Sequence, residues 1–206
     1  MAHESTPQFQ TFHALRIKGF AAVDTLVEMT SLSTDDVELA LTRLADNGYT
    51  QFRENRGLWQ LTADGRAAHG EHLLADLEGL DVAATLRTHY QSFLTSNSKF
   101  KELCGDWQLR DGEPNDHSDT AYDESVVERL SALHADALPA VTSMGEGISR
   151  MRPYSNRLVE VLAKVQTGET KMFTGVMCGS YHDVWMELHE DLILTQGIDR
   201  SAEGSF

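Results

Sequence analysis

The chain has 206 residues, enough for one large domain or two smaller ones that each bury a core. Hydrophobic residues at 41% and charged residues at 24% are ordinary for a globular protein and exclude general disorder. Against 17 Lys and Arg stand 32 Asp and Glu, a formal net charge of −15, so long-range electrostatics oppose nucleic acid and any DNA contact must rest on a few cations.

Residues 1–10 are polar, without the basic start and apolar run of a signal peptide. Phe12, Leu15, Ile17 and Phe20 mark a short helical segment ending near Gly19, and residues 23–29 predict a second helix with Val23, Leu26 and Val27 on its apolar face. Ser31-Leu32-Ser33 breaks it. A third helix starts at Thr34, capped by Ser33 or Thr34, with Asp35 and Asp36 at its positive end. Val37, Leu41 and Leu44 make one buried stripe, and Asn47-Gly48 stops the helix. The period then changes to two. Residues 49–53 and 58–61 alternate around Glu54-Asn55-Arg56-Gly57 as a hairpin, and Thr62 caps a helix running towards Leu77 with Gly79 as its stop. Three helices, a hairpin and a further helix in that order make a winged helix-turn-helix.

Beyond residue 80 the pattern is helical throughout: 81–103 with a break at 96–98, a polar loop over 105–121, and helices near 122–138, 154–166 and 181–196. Pro139, Gly145-Glu146-Gly147, Pro153, Gly168 and Gly179 punctuate them. The expected fold class is therefore mainly α: a winged helix-turn-helix domain with a small β-hairpin wing over 1–80, then a helical ligand-sensing and dimerisation domain over 81–206. No run approaches the ~18 apolar residues of a membrane helix, and Cys104 and Cys178 belong to no motif, so a soluble, cytoplasmic protein with free thiols is expected.

Leu32-Ser33, Val37, Leu41, Leu44, Asn47-Gly48 and Leu61-Thr62-Ala63-Asp64-Gly65-Arg66 resemble the pattern of MarR-type transcription regulators over residues 10–78. That resemblance implies a recognition helix opening at the Leu-Ser turn and a wing before the Leu-Thr-x-x-Gly-Arg stretch. The helical part is similar to a region of actinobacterial proteins associated with phosphoenolpyruvate-utilising, dikinase-like enzymes. Asp106-Trp107-Gln108-Leu109-Arg110, Pro114-Asn115-Asp116-His117-Ser118-Asp119 and Ser180-Tyr181-His182-Asp183-Val184-Trp185 carry that likeness, which brings no activity with it.

At the positions where the MarR pattern carries Ser, Thr and Arg, this helix has Asp35, Asp36, Glu38 and Leu39, and Arg43 is the only cation on its exposed side. Arg53 and Arg56 flank the wing tip around Asn55, and Arg16 and Lys18 add candidate phosphate contacts. The two wing arginines read either as minor-groove cations or as solvated charges neutralised by Glu54.

No nucleophile elbow or phosphate loop is present, so catalysis is not expected and no cofactor is implied. His182 and His189 lie two helical turns apart, ~10 Å along the axis, too far for one ion without a third ligand such as His117 or His134; no metal site is assigned. Trp107, Arg110, Asn115, His117, Tyr122, Tyr181, His182, Trp185 and His189 combine apolar surface with a few polar groups, the composition of a ligand pocket. Arg110 is then the group to meet a carboxylate or phosphate. The competing reading makes the tryptophans core anchors and pairs Arg110 with Asp106 or Asp111.

Together these features point to a dimeric transcription regulator that binds double-stranded operator DNA and responds to a small-molecule effector, with no membrane partner. The alternative is a winged-helix module that binds a protein or metabolite instead of DNA and regulates a phosphotransfer enzyme.

Overall fold

The computed structural model describes residues 2–199; the last seven residues of the expected helical domain lie outside that range. The protein is mainly helical with a small antiparallel sheet. Among the described residues no helix is long and apolar enough to cross a membrane. The chain forms two compact units. Among the described residues, the first comprises 2–82, Gly145–Pro153 and 190–199; the second comprises Ala83–Met144 and Tyr154–His189. The first unit therefore takes in two segments that the sequence places with the second.

In the first unit, α1 (Pro7–Lys18) begins where the Thr6 hydroxyl accepts from the Phe9 amide, with Pro7 at the first helical position where its missing N–H costs nothing. Gly19, at φ 80°, ends it. Phe20 is a strand residue rather than a helical one: β1 (Phe20–Ala21) leaves its ring 41% exposed. α2 (Val23–Thr30) ends at Ser31, and α3 (Thr34–Asp46) is capped by Ser33, whose hydroxyl accepts from the Asp36 amide. β2 (Thr50–Arg53) and β3 (Leu58–Leu61) form the expected hairpin, and β1 adds to it in the order β1-β3-β2. Ala21 faces Trp59 and Thr50 faces Leu61, so one face of the sheet turns to the core. There it meets Phe12, Leu15, Leu26 and the Val37–Leu41–Leu44 stripe, all buried. α4 (Ala63–Asp76) starts at Thr62, whose hydroxyl accepts from the Gly65 amide and donates to the Gly48 carbonyl, tying the helix to the turn before β2.

The second unit departs further from its sequence pattern. α5 (Val82–Gln108) runs through Ser96 to Ser98 without a break. Thr95 and Ser98 donate their hydroxyls to carbonyls four residues back, and buried Asn97 is engaged by the indole of Trp185, so the polar run is satisfied inside a helix. The polar loop then holds a short ribbon, β4 (Leu109–Arg110) with β5 (Glu113–Pro114), closed by Asp111 and Gly112 at positive φ, the conformation of a two-residue hairpin turn. α6 (Thr120–Gly147) does not stop at Pro139 or Gly145. Pro139 is exposed and forfeits one hydrogen bond, while Ala137, Val141 and Met144 on the other side of the helix are buried and outweigh that loss. α7 (Arg152–Gln166), the short α8 (Lys171–Thr174) and α9 (Tyr181–Gln196) complete the chain. Asp183 accepts from the amides of Cys178 and Gly179, which fixes the start of α9.

Gly65 lies where a Cβ would overlap the carbonyl oxygen of Tyr49, so the contact of α4 with the turn before β2 admits no side chain. Gly65→Ala is expected to destabilise the protein by about 2 kcal/mol or more, since backbone on both sides leaves little room to relax. Urea denaturation checks this, and an unchanged midpoint would contradict the close approach.

Candidate functional site

On the first unit, the outer side of α3 carries Asp35, Asp36, Glu38, Leu39 and Arg43, all exposed. Asp36 is partly occupied, because Ser33 donates its hydroxyl to that carboxylate at 2.7 Å. Arg43 keeps its guanidinium on the surface, while its carbonyl accepts from the Asn47 side chain. On the β2–β3 hairpin, Asn55 and Arg56 are exposed at the turn, and the Arg56 guanidinium sits 5.7 Å from the centre of the Phe20 ring. Arg53 is exposed on the outer face of the sheet beside Gln60, whose amide oxygen accepts from it at 2.9 and 3.2 Å when oriented to satisfy both groups. Arg16 is half-buried and pairs with Glu190 at 3.4 Å, so it is held within its unit; Lys18 is also half-buried. Arg53, Asn55 and Arg56 thus share one exposed hairpin, while Arg16 is engaged by Glu190.

The second unit contains a cavity of about 560 Å³, within the range of small-molecule sites. Its walls come from Trp107 at the end of α5, His117 in the following loop, one side of α6 and the turn after α7. Sequence folds this loop locally. Asn115 donates to the Trp107 carbonyl at 3.1 Å and to Asp123 at 2.9 Å, and its own oxygen accepts from the His117 amide at 3.2 Å. This Asx turn holds His117 at φ 59°, a backbone conformation that non-glycine residues seldom adopt and that here has a supporting structure. The ring lies 4.6 Å from that of Trp107, tilted by 42°, and Nδ1 lies 2.9 Å from Asp123.

Of the nine residues the sequence assigns to a ligand pocket, Trp107 and His117 line this cavity, and Asn115 positions His117. Arg110 is not among the walls: it pairs with Asp119 at 2.7 Å and lies 5.0 Å over the Tyr122 ring, whose hydroxyl donates to the Asp106 carbonyl. Tyr181, His182, Trp185 and His189 do not line it either. Trp185 is fully buried and donates to Asn97 at 2.9 Å; Tyr181 is fully buried with its hydroxyl 3.1 Å from His134. Burial pushes the Tyr181 hydroxyl well above its usual pKa and lowers that of His134. His182, half-buried, is also lowered by burial, against the pull of Asp183, and its Nδ1 has no hydrogen-bond partner. His189 packs 5.3 Å from Phe93 inside the core. Both tryptophans are anchors, and Trp107 is a wall as well. Among the described residues no three His, Cys, Asp or Glu side chains converge as a metal-ligand set.

Sequence reasoning missed Asp123, Glu124 and Glu128, which line the cavity from α6. Their signal was the i, i+4 spacing of two glutamates just after a Asn-Asp-His loop. It also missed a buried polar chain in the first unit. His13 on α1 lies 3.0 Å from Asp191 on α9 through Nε2 and 2.9 Å from His69 on α4 through Nδ1. Arg150 donates to Asp191 at 3.0 Å and to Thr195 at 2.6 Å, and Thr195 in turn donates to Asp191 at 2.8 Å. All five side chains are buried. Burial by itself would raise the Asp191 carboxyl, but Arg150, His13 and the hydrogen bonds from His13 and Thr195 outweigh it and hold the group ionised. Nothing in 13, 69, 150, 191 and 195 as sequence positions could have joined them.

No protein-family model, no curated protein and no solved structure matches this chain, so the geometry itself carries the functional argument.

The buried pair dictates a pH response. Burial lowers the pKa of His13, with Asp191 opposing and Arg150 assisting. His69 falls from its ordinary 6.5 to about 3, through burial first and then the charges of His13, Arg16 and Arg150. Both pKa values are lowered in the fold, so the unfolded chain binds protons that the fold resists: stability is complete above about pH 6.5 and falls below it, with His69 alone contributing up to about 1.4 kcal/mol per pH unit. Thermal unfolding between about pH 7 and 5 tests this, with His69→Gln expected to flatten the slope. A His69 ring signal titrating near its ordinary value by NMR would contradict the buried neutral pair.

Proposed function

We propose that this protein is a DNA-binding regulator that responds to a small molecule, with the first unit acting as a MarR-like winged helix-turn-helix and the second as the sensor. The observation that carries the reading is the element order of the first unit: α2 and α3 joined by a three-residue turn, then a hairpin with exposed Arg53 and Arg56. In such an arrangement α3 enters the major groove and the hairpin reaches the adjacent minor groove or phosphates. Arg53, Asn55 and Arg56 are the proposed wing contacts, Arg43 the contact from α3, and Lys18 a backbone contact. A two-fold dimer would set two such units on half-sites about one helical turn apart. The ligand cavity of the second unit supports the sensor role.

One observation favours a second reading. Asp35, Asp36 and Glu38 are all exposed on α3, where phosphates would repel them, and Leu39 beside them is 50% exposed. A protein surface, for instance that of a phosphotransfer enzyme, would accept such a face without that repulsion.

Fluorescence anisotropy with double-stranded DNA from the gene's own upstream region, over a salt series, separates the two. The DNA reading expects affinity that falls steeply with salt, and a log–log slope reduced by about 0.9 in Arg56→Ala, one phosphate contact's worth. Asp35→Asn with Glu38→Gln should tighten binding. Absence of binding at low salt in both proteins would favour the protein partner.

A further inference from the structure

Register sets the two faces of the sheet in the first unit. Ala21 stands opposite Trp59 and Thr50 opposite Leu61, and these turn to the core, so their neighbours along each strand turn away from it. On that outer side Phe20 stands opposite Gln60, Gln60 opposite Gln51, and Arg53 follows two residues along β2. No strand of this sheet contains a carboxylate.

Both arginines of the β2–β3 hairpin rest on side chains of this outer face. With its amide oriented to satisfy its neighbours, the Gln60 oxygen accepts from Arg53 Nη2 at 2.9 Å and Nε at 3.2 Å, and from Gln51 Nε2 at 2.8 Å. One edge of the Arg53 guanidinium is thereby fixed, and the edge through Nη1, a fork that matches two phosphate oxygens, stays open. Arg56 reaches from the turn to Phe20, its guanidinium carbon 5.7 Å from the ring centre. Phe20 is 41% exposed and lies outside the buried core, so its ring is spent on the cation. Among the described residues neither arginine forms an ion pair, so Glu54, which lies between them in sequence, does not neutralise them by contact. An exposed arginine ordinarily loses rotamer freedom on binding, and holding it beforehand lowers that cost.

We infer that Phe20 and Gln60 are positioning residues: they hold Arg56 and Arg53, with their charges unpaired, on the outer side of the sheet for the phosphates of duplex DNA. The inference rests on the DNA-binding reading and extends its surface from the hairpin turn to β1 and β3.

The test uses the full chain. In the free protein, ¹⁵N NMR follows the Nε–H signals of the two arginines, identified by their loss in Arg53→Lys and Arg56→Lys. Phe20→Leu is expected to move the Arg56 signal, which the ring current of Phe20 displaces, and Gln60→Met to move that of Arg53. Anisotropy with duplex DNA at low salt then reads the consequence. Phe20→Leu should bind about threefold more weakly, the size of one exposed cation–ring contact, with an unchanged salt slope because no charge is lost. Phe20→Tyr should restore the affinity. Phe20→Leu combined with Arg56→Ala should bind no more weakly than Arg56→Ala alone, because the ring acts through that side chain. An Arg56 signal unmoved in Phe20→Leu, or additive losses in the double variant, would overturn the inference and leave DNA binding standing. Absence of binding by the unaltered protein would overturn the reading and the inference together, and the arginine signals keep that outcome distinct from a fault in positioning alone.

Discussion

A carboxylate removed from water must find positive or donating partners, and in the first unit Asp191 finds three side chains directly and a fourth through one of them, from four stretches of chain. His13 comes from α1, Arg150 from the turn before α7, Thr195 from the next turn of α9, and His69 is reached through His13. Taking an ion pair into a dry interior is rarely a net gain, but removing one partner leaves an uncompensated charge, which is far worse. The network therefore acts less as glue than as a specification: it ties α1, α4 and these two later segments into one arrangement, in which only Arg150 Nε lacks a partner. It explains why residues 145–153 and those from 190 on fold with the first eighty.

The same rule shapes the cavity in the second unit, with the opposite outcome. Asp123 is satisfied by Asn115 and His117, and that satisfaction holds the loop in an otherwise unfavourable backbone conformation. Glu124 and Glu128, one turn apart on the same helix, are left to solvent and to whatever enters. Around Asp191 the side chains of His13, Arg150 and Thr195 all bond to the carboxylate, with only Arg150 Nε left without a partner, whereas Glu124 and Glu128 make no ion pair among the described residues.

The electrostatics of the first unit also set the terms for any nucleic-acid contact. With a formal net charge of −15, a cation counts only where it is local and free. Pairing with Glu190 takes Arg16 out of that reckoning, while the β2–β3 hairpin keeps Arg53 and Arg56 exposed and close in sequence. The acidic face of α3 is then a determinant of specificity by repulsion, whichever macromolecule it meets.

The sequence by itself determined the elements up to α4, apart from strand β1, because their signals are local: Ser33 and Thr62 as caps, Asn47-Gly48 as a stop, the change of period at Tyr49, and the stripe of Val37, Leu41 and Leu44. It also pointed to Trp107, Asn115 and His117, whose contacts span ten residues or fewer. Where local and non-local signals conflict, sequence misleads. Ser96 to Ser98 and Pro139 look like helix breaks, yet Asn97 meets Trp185 and the residues around Pro139 bury enough apolar surface to keep α5 and α6 whole. Only the tertiary structure decided that Tyr181 and Trp185 are core, that Arg110 belongs to Asp119, and that Asp191 draws in His13 across 178 positions. The reason is physical: propensity, capping and periodicity act over one or two turns, whereas burial and charge pairing are properties of neighbours that the chain brings together only when it folds.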